Sequence, residues 1–251
     1  MNKFFTFVAL GAVLVSARTA HARAAFQSSE VMIANSDAIA LVQIERVEKV
    51  ATKGTHWTYG QKATARVERT LKGELPSSIA LLGDENFSCA RCHFETGRFL
   101  VFLKREKEGF AGTNYQLSAR KIENAQVNWG AKGAFETKMV PLGEAISNVQ
   151  ATLEAQAKAP HFSLTSDISE ENTRIWKIIP EAKAGEARHQ MKMNQTELET
   201  WLRTLPVGAK VSLEISDVLW KPGQNPSLEE TDNLQMFAHS FGLEFRIIPG
   251  G

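Results

Sequence analysis

Hydrophobic and polar positions follow two different periods along this chain, one dominating each half. Segment 38–47 begins as a continuous β-rich apolar run and alternates after Val42, and 62–71 alternates polar with small or apolar residues at period two. That period is the signature of a half-buried strand. Lys72, Gly73 and Pro76 supply a turn, 78–82 predicts the next strand, and 98–103 is the most apolar short run outside the N-terminus. Shorter strands are expected at 114–119 and 125–129. Five or six short strands punctuated by Gly and Pro predict a barrel or sandwich. Pro141 then opens a helix in which Leu142, Ile146, Val149 and Leu153 share one face. Segment 156–169 contains Pro160, several Ser and Ala and no periodicity, and reads as a linker.

The last eighty or so residues change character. Strands are expected at 174–179, ended by Pro180, and at 187–193. Asn194 and Glu197 form a capping box ahead of the stripe Leu198, Trp201, Leu202 and Leu205, and Pro206 with Gly208 ends that helix. A strand at 210–219 follows. Ser227 and Glu230 form a second capping box, ahead of Leu234, Phe237, Ala238 and Phe241, with Gly242 as C-cap and a last strand at 243–248. This order predicts a small α+β unit at 170–251, with two helices covering one face of a short sheet.

The N-terminus changes the picture of where the chain works. Lys3, an apolar run at 4–15 and the Ala20-His21-Ala22 site form the three-part layout of a secretory signal peptide at 1–22. The run is about a dozen residues, short of the roughly 20 that a spanning helix needs. The expectation is an exported protein, periplasmic or extracellular, with no membrane span after cleavage. Cleavage after Ala22 removes Lys3 and Arg18, leaving 27 basic against 28 acidic residues, a formal charge of −1. Nucleic acid is not an expected partner, because such proteins carry a basic stripe that neutralises phosphates.

Three stretches of the first half resemble a known family. Segment 36–42 resembles its opening strand, and 65–73 is similar to its V-x-x-x-L-K-G strand and turn. Segment 92–102 is similar to its C…F-x-x-G-x-x-Y-L-V-F segment, with Phe99 in the aromatic place. The family is that of bacterial exported proteins similar to the netrin-like module and the tissue inhibitors of metalloproteinases. The resemblance implies an OB-type β-barrel with a packed helix over 23–155. The animal inhibitors chelate zinc through an N-terminal cysteine, whereas no cysteine precedes Cys89 here. Inhibition by that route is therefore not expected.

Candidate chemistry centres on Cys89-Ala90-Arg91-Cys92-His93, which holds both cysteines of the chain. The C-x-x-C-H spacing is that of c-type haem attachment, with His93 as axial ligand and His189, Met191, Met193 or Met236 as distal candidates. A short-loop Cys89–Cys92 disulfide needs only an oxidising compartment, and the resemblance places a cysteine near this point without haem. It is the preferred reading. A redox pair is disfavoured because Asp84 and Glu85 precede the motif and a strand, not a helix, follows it. In a strand, His189, Met191 and Met193 share a face, a soft ligand set for Cu(I) in an exported protein, although methionines often simply fill cores. His56, Trp57 and Tyr59 lie in a turn between two strands, where OB-type barrels often contact ligands. No hydrolase motif is present, and Asp37, Glu68, Glu214 and Asp217 show no spacing that marks an acid/base pair. The expectation is a non-enzymatic binding module with no cofactor, its partner an unknown protein or small ligand. The alternatives are a mono-haem electron carrier and a copper-handling protein.

Overall fold

The computed structural model describes residues 26–87, 90–130, 138–168, 174–180, 190–216 and 226–250. The protein is mostly strand, with four α-helices among the described residues. A short helix α1 (Ser29–Asn35) leads into strands β1 (Ala38–Lys53), β2 (Thr58–Lys72), β3 (Ser78–Glu85), β4 (Gly97–Glu106) and β5 (Gly109–Gly112). Strands β6 (Ala119–Glu123), β7 (Gln126–Asn128) and β8 (Met139–Pro141) and helix α2 (Leu142–Ala157) follow. The sheet order is β1-β2-β3-β5-β4-β6-β7-β8, and β1 pairs with β4 as well. Only the β3–β5 pairing is parallel.

Strands β1 and β4 are covered on both faces, which explains their unbroken apolar runs. Ala38, Ala40, Val42 and Ile44 of β1 join Phe99, Val101 and Leu103 of β4 in one core. The intervening Ile39, Leu41, Leu100 and Phe102 join Met32 and Ile33 of α1 and Val149 of α2 in another. A strand with two buried faces has no polar face to alternate with. Arg120 closes the second core. It donates to Ser29 Oγ at 3.1 Å and the Asn128 carbonyl at 3.2 Å, and stacks 4.6 Å from the Trp129 ring centre. Burial pulls its guanidinium down to about 10, against the opposing charge of Glu30.

The second sheet holds β9 (His161–Ile168), β10 (Arg174–Pro180), β11 (Met191–Met193), β12 (Lys210–Ser216) and β13 (Glu244–Gly250), in the order β11-β10-β9-β12-β13. β9, β12 and β13 run parallel, while β10 and β11 are antiparallel to their neighbours. Helices α3 (Gln195–Thr204) and α4 (Leu228–Ser240) pack Leu198, Leu202, Leu234 and Ala238 onto Leu164, Trp176, Val211 and Phe245. Both capping boxes form: Glu197 N donates to Asn194 Oδ1 at 2.9 Å, and Glu230 N donates to Ser227 Oγ at 3.1 Å. Two helices on a short sheet are therefore present, as the patterning predicts.

Two expectations are corrected, and one helix was not foreseen. The linker at 156–169 contains β9, the central strand of its sheet. Among its described side chains Phe162 and Leu164 carry the apolar face, and Pro160 lies just before the first ladder residue, where it breaks nothing. The strand expected at 114–119 is instead a 3-10 turn, Tyr115–Ser118, because the Ser118 hydroxyl accepts from Asn114 N at 2.6 Å and folds the backbone locally. The short helix α1, capped by Ser28, had no apolar stripe long enough to announce it.

The two sheets meet where α1 packs against the end of α4 and Gln156 of α2 lies against Gly208. Asn35 Nδ2 donates to the His239 carbonyl at 2.8 Å. Gly242, at φ +73°, lies so near α1 that a Cβ there would be 3.1 Å from Val31 Cα. No described helix is long and apolar enough to cross a membrane.

Candidate functional site

The β1–β2 hairpin ends in a turn tied to the end of β4. Gly54 N donates to the Trp57 carbonyl at 2.8 Å. Glu106 Oε2 accepts from Thr55 N and Oγ1 at 2.9 and 2.8 Å, and Oε1 accepts from the Tyr59 hydroxyl at 2.9 Å. This fixes the residue after the turn, Trp57, in a row of rings: Trp57 to Phe87 is 5.3 Å between centroids, and Phe87 to Tyr115 is 5.4 Å with near-parallel planes. Trp57 and Tyr115, the two ends of this row, border a cleft of about 390 Å³ whose polar lining includes Gln27, Lys104, Glu106 and Asn114. Such a volume lies within the range of small-ligand sites.

Two non-glycine residues near this cleft, Asp84 (φ +52°) and Tyr115 (φ +46°), adopt left-handed backbone. That conformation costs about 1 kcal/mol or more, and such residues cluster at binding sites. Asp84 is held there by its N–H to the Cys92 carbonyl at 2.8 Å, and its carboxylate meets His93 Nδ1 at 3.0 Å.

The electrostatics beneath the rings are uneven. Burial pushes the Glu85 carboxyl up, although the Cys92 N–H, 2.7 Å away, opposes this. Burial also acts to raise Glu106, but the hydrogen bonds from Thr55 and Tyr59 outweigh it and hold the carboxyl below its ordinary value. Tyr59 is driven well above the usual phenol range by burial and by its bond to Glu106. Glu106 is thus a fixed anion and Tyr59 a fixed donor, and both belong to the frame of the site.

Of the three ligand-contact candidates, His56 and Trp57 line the cleft with accessible surface. Tyr59 is 2 % exposed and its hydroxyl is committed to Glu106. Phe87 and Tyr115 were missed. The chain has only two tyrosines, and both line this cleft; an aromatic beside Asn in a polar loop, as at Asn86-Phe87 and Asn114-Tyr115, was the available signal.

The C-x-x-C-H segment runs under the same end of the sheet. Cys89 lies outside the described residues. Cys92 is fully buried in the core, and the stretch it begins is clamped by a side-chain substitute for a strand. Gln61 donates to the Phe94 carbonyl at 2.8 Å and accepts from Phe94 N at 2.7 Å. The ladder of β4 starts at Gly97, just ahead of the apolar run at 98–103. Burial raises the Cys92 thiol well above its ordinary value, and Glu85 and Asp84 add to the effect. Such a thiol is a poor nucleophile and a poor metal ligand. His93 points outward to Asp84 while Cys92 points inward.

His189 lies outside the described residues. Met191 and Met193 share a face of β11 opposite Ile178 and Trp176, and that face packs on the core of the second sheet. Met236 is exposed on α4. Asp37 and Glu68 are engaged in ion pairs with Lys104 and Arg98, and Asp217 lies outside the described residues. Comparison of the chain with protein-family models, with curated proteins and with solved structures gave no match.

Proposed function

We propose that the protein is an exported, non-enzymatic binding module that holds its ligand at the aromatic-lined cleft beside the β1–β2 turn. In this reading, cleavage after Ala22 releases an OB-type, netrin-like barrel at 23–155 followed by a small α+β domain that begins with β9. The cycle of pairings β1-β2-β3-β5-β4-β1 supports the barrel, since each of these strands has a partner on both sides. The row Trp57–Phe87–Tyr115 is the observation that carries the binding function. Its accessible rings stand beside a floor of amide, ammonium and carboxylate groups, which suits a ligand with a flat apolar face and polar edges, such as a sugar ring or an aromatic side chain of a protein loop. The Cys89–Cys92 disulfide would staple the loop that carries Phe87.

The test is capture from the exported fraction by the wild-type protein and by Trp57→Ala with Tyr115→Ala, alongside titration with soluble oligosaccharides. A ligand retained by the wild type and lost by the variant, at unchanged secondary structure, supports the cleft. Equal retention by both moves the function elsewhere. Intact mass of the exported protein separates the states of Cys89 and Cys92: loss of two hydrogens for the disulfide, or gain of one haem with a Soret band, which would sink this reading.

A further inference from the structure

A second cleft, of about 520 Å³, opens where the two sheets meet and draws its walls from both. Lys72 of β2 and Lys104 of β4 line it from the first sheet and Lys210 of β12 and Arg246 of β13 from the second, with Asp37 and Glu244 as the carboxylates of its lining. Lys104 is paired with Asp37 at 3.2 Å, and Arg246 with Glu244. Lys72 and Lys210 form no ion pair among the described residues, and four cationic side chains stand against two carboxylates in one concavity. The surplus stands out in a chain whose basic and acidic residues otherwise nearly cancel.

The site is also held in shape. Lys72 Nζ donates to the carbonyls of Ile33 and Ala34 at 2.7 and 2.9 Å, which fixes the ammonium at the end of α1 with one proton left. Across the cleft, the Asn35–His239 bond and the close approach of Gly242 to Val31 fix the second wall against the first. Low-dielectric walls of one sign focus the field and concentrate counter-ions. Burial lowers the Lys72 ammonium and Lys104 lowers it further, while Asp37 and Glu244 act in the opposite direction without cancelling them. A bound anion would relieve both effects.

We propose that this cleft binds a small molecule carrying two or more anionic oxygen groups, bridging Lys72 on the first sheet and Lys210 on the second. Such a ligand would reinforce the junction, because its two ends would hold different sheets. The carrier of the charge is phosphate or carboxylate, and the two are separated by using inorganic pyrophosphate and citrate as probes.

The experiment is calorimetric titration of the full mature chain at low ionic strength with each probe, together with thermal melting. Binding of at least one probe is expected, with a rise in melting temperature. Lys210→Met should weaken that binding about tenfold, the typical scale for one charge-assisted contact. Lys49→Met, which removes an equal charge from an exposed position on β1, should leave it unchanged. Lys72 is better spared, since its loss also uncaps α1. No binding of either probe at millimolar concentration overturns the proposal, as does equal weakening by Lys210→Met and Lys49→Met. Trp57→Ala should not alter the titration, which separates this cleft from the aromatic one.

Discussion

The two sheets solve the same burial problem in different ways. In the first, β1 and β4 lie between two cores, so adjacent residues of one strand are both buried. In the second, α3 and α4 cover one face, and the other carries polar partners such as Lys177 with Asp167 at 2.8 Å and His161 with Ser212 at 2.8 Å. A strand between two cores has little tolerance at any position, whereas a strand with one solvated face is sensitive at every second residue. The difference also bears on placement of sites. The aromatic cleft lies at an end of the doubly covered sheet, where the rigid strands hold its turn, and the cationic cleft lies between the sheets.

This contrast is sharpest at neighbouring residues. Leu100 and Leu103 of β4 belong to different cores and are both fully buried, so Leu100→Ala and Leu103→Ala should each cost about 2–5 kcal/mol in denaturant unfolding. In β9, Leu164→Ala should cost a similar amount, but Thr165→Ala only about 0.5 kcal/mol. A small loss at either leucine of β4 would break the two-core description.

The clamp on the C-x-x-C-H segment gives the next effect. Gln61→Ala would orphan the buried N–H and carbonyl of Phe94 and should destabilise by about 2–4 kcal/mol. In the second sheet's helices, Asn194→Ala or Ser227→Ala should cost about 1 kcal/mol each, as exposed caps do. A Gln61 effect no larger than the cap effects would mean that water replaces the amide.

The smallest effects separate the sheets by sign. Glu85 has a raised folded value, so its ionisation costs stability as pH climbs from the ordinary carboxylate value through the raised one. Glu85→Gln should therefore gain on the wild type over that window and keep the gain above it. Glu230 is the reverse. Burial acts to raise it, but the Ser227 N–H and Arg174, 3.2 Å away, hold it down. Its contribution is present above the ordinary value and is lost as pH falls through the depressed one. Glu230→Gln should thus be less stable than the wild type at neutral pH, with the difference vanishing in acid. Parallel melting curves for either variant across pH would remove the corresponding shift.

How much could be read beforehand follows from which signals are local. The capping boxes at Asn194 and Ser227, the stripe from Leu142 to Leu153 and the alternation of β2 are set by neighbours in the chain, and they appear where expected. β9 escaped notice because, among its described side chains, a central strand with a Ser- and Thr-bearing outer face shows Phe162 and Leu164 to the core. The aromatic site was half visible. Trp57 and His56 stood out in a turn, but Phe87 and Tyr115 come from two other loops, and their stacking depends on the pairing of distant strands. The C-x-x-C-H segment illustrates the reverse: its spacing fits a short-loop disulfide or a haem site, and nothing in the sequence signalled that Cys92 is buried in the core while His93 turns out to Asp84.

By itself the sequence determined the period of each element, most helix starts and stops, and the near-neutral charge, because these rest on propensity, capping and composition. Tertiary structure alone decided that β1 has two covered faces, that three rings from separate loops form one row, and that Lys72 and Lys210 line one cleft in which cations outnumber carboxylates. The reason is range. Periodicity and capping act over a few residues, whereas burial and charge balance depend on whatever the fold brings near, and Lys72 and Lys210 are far apart along the chain.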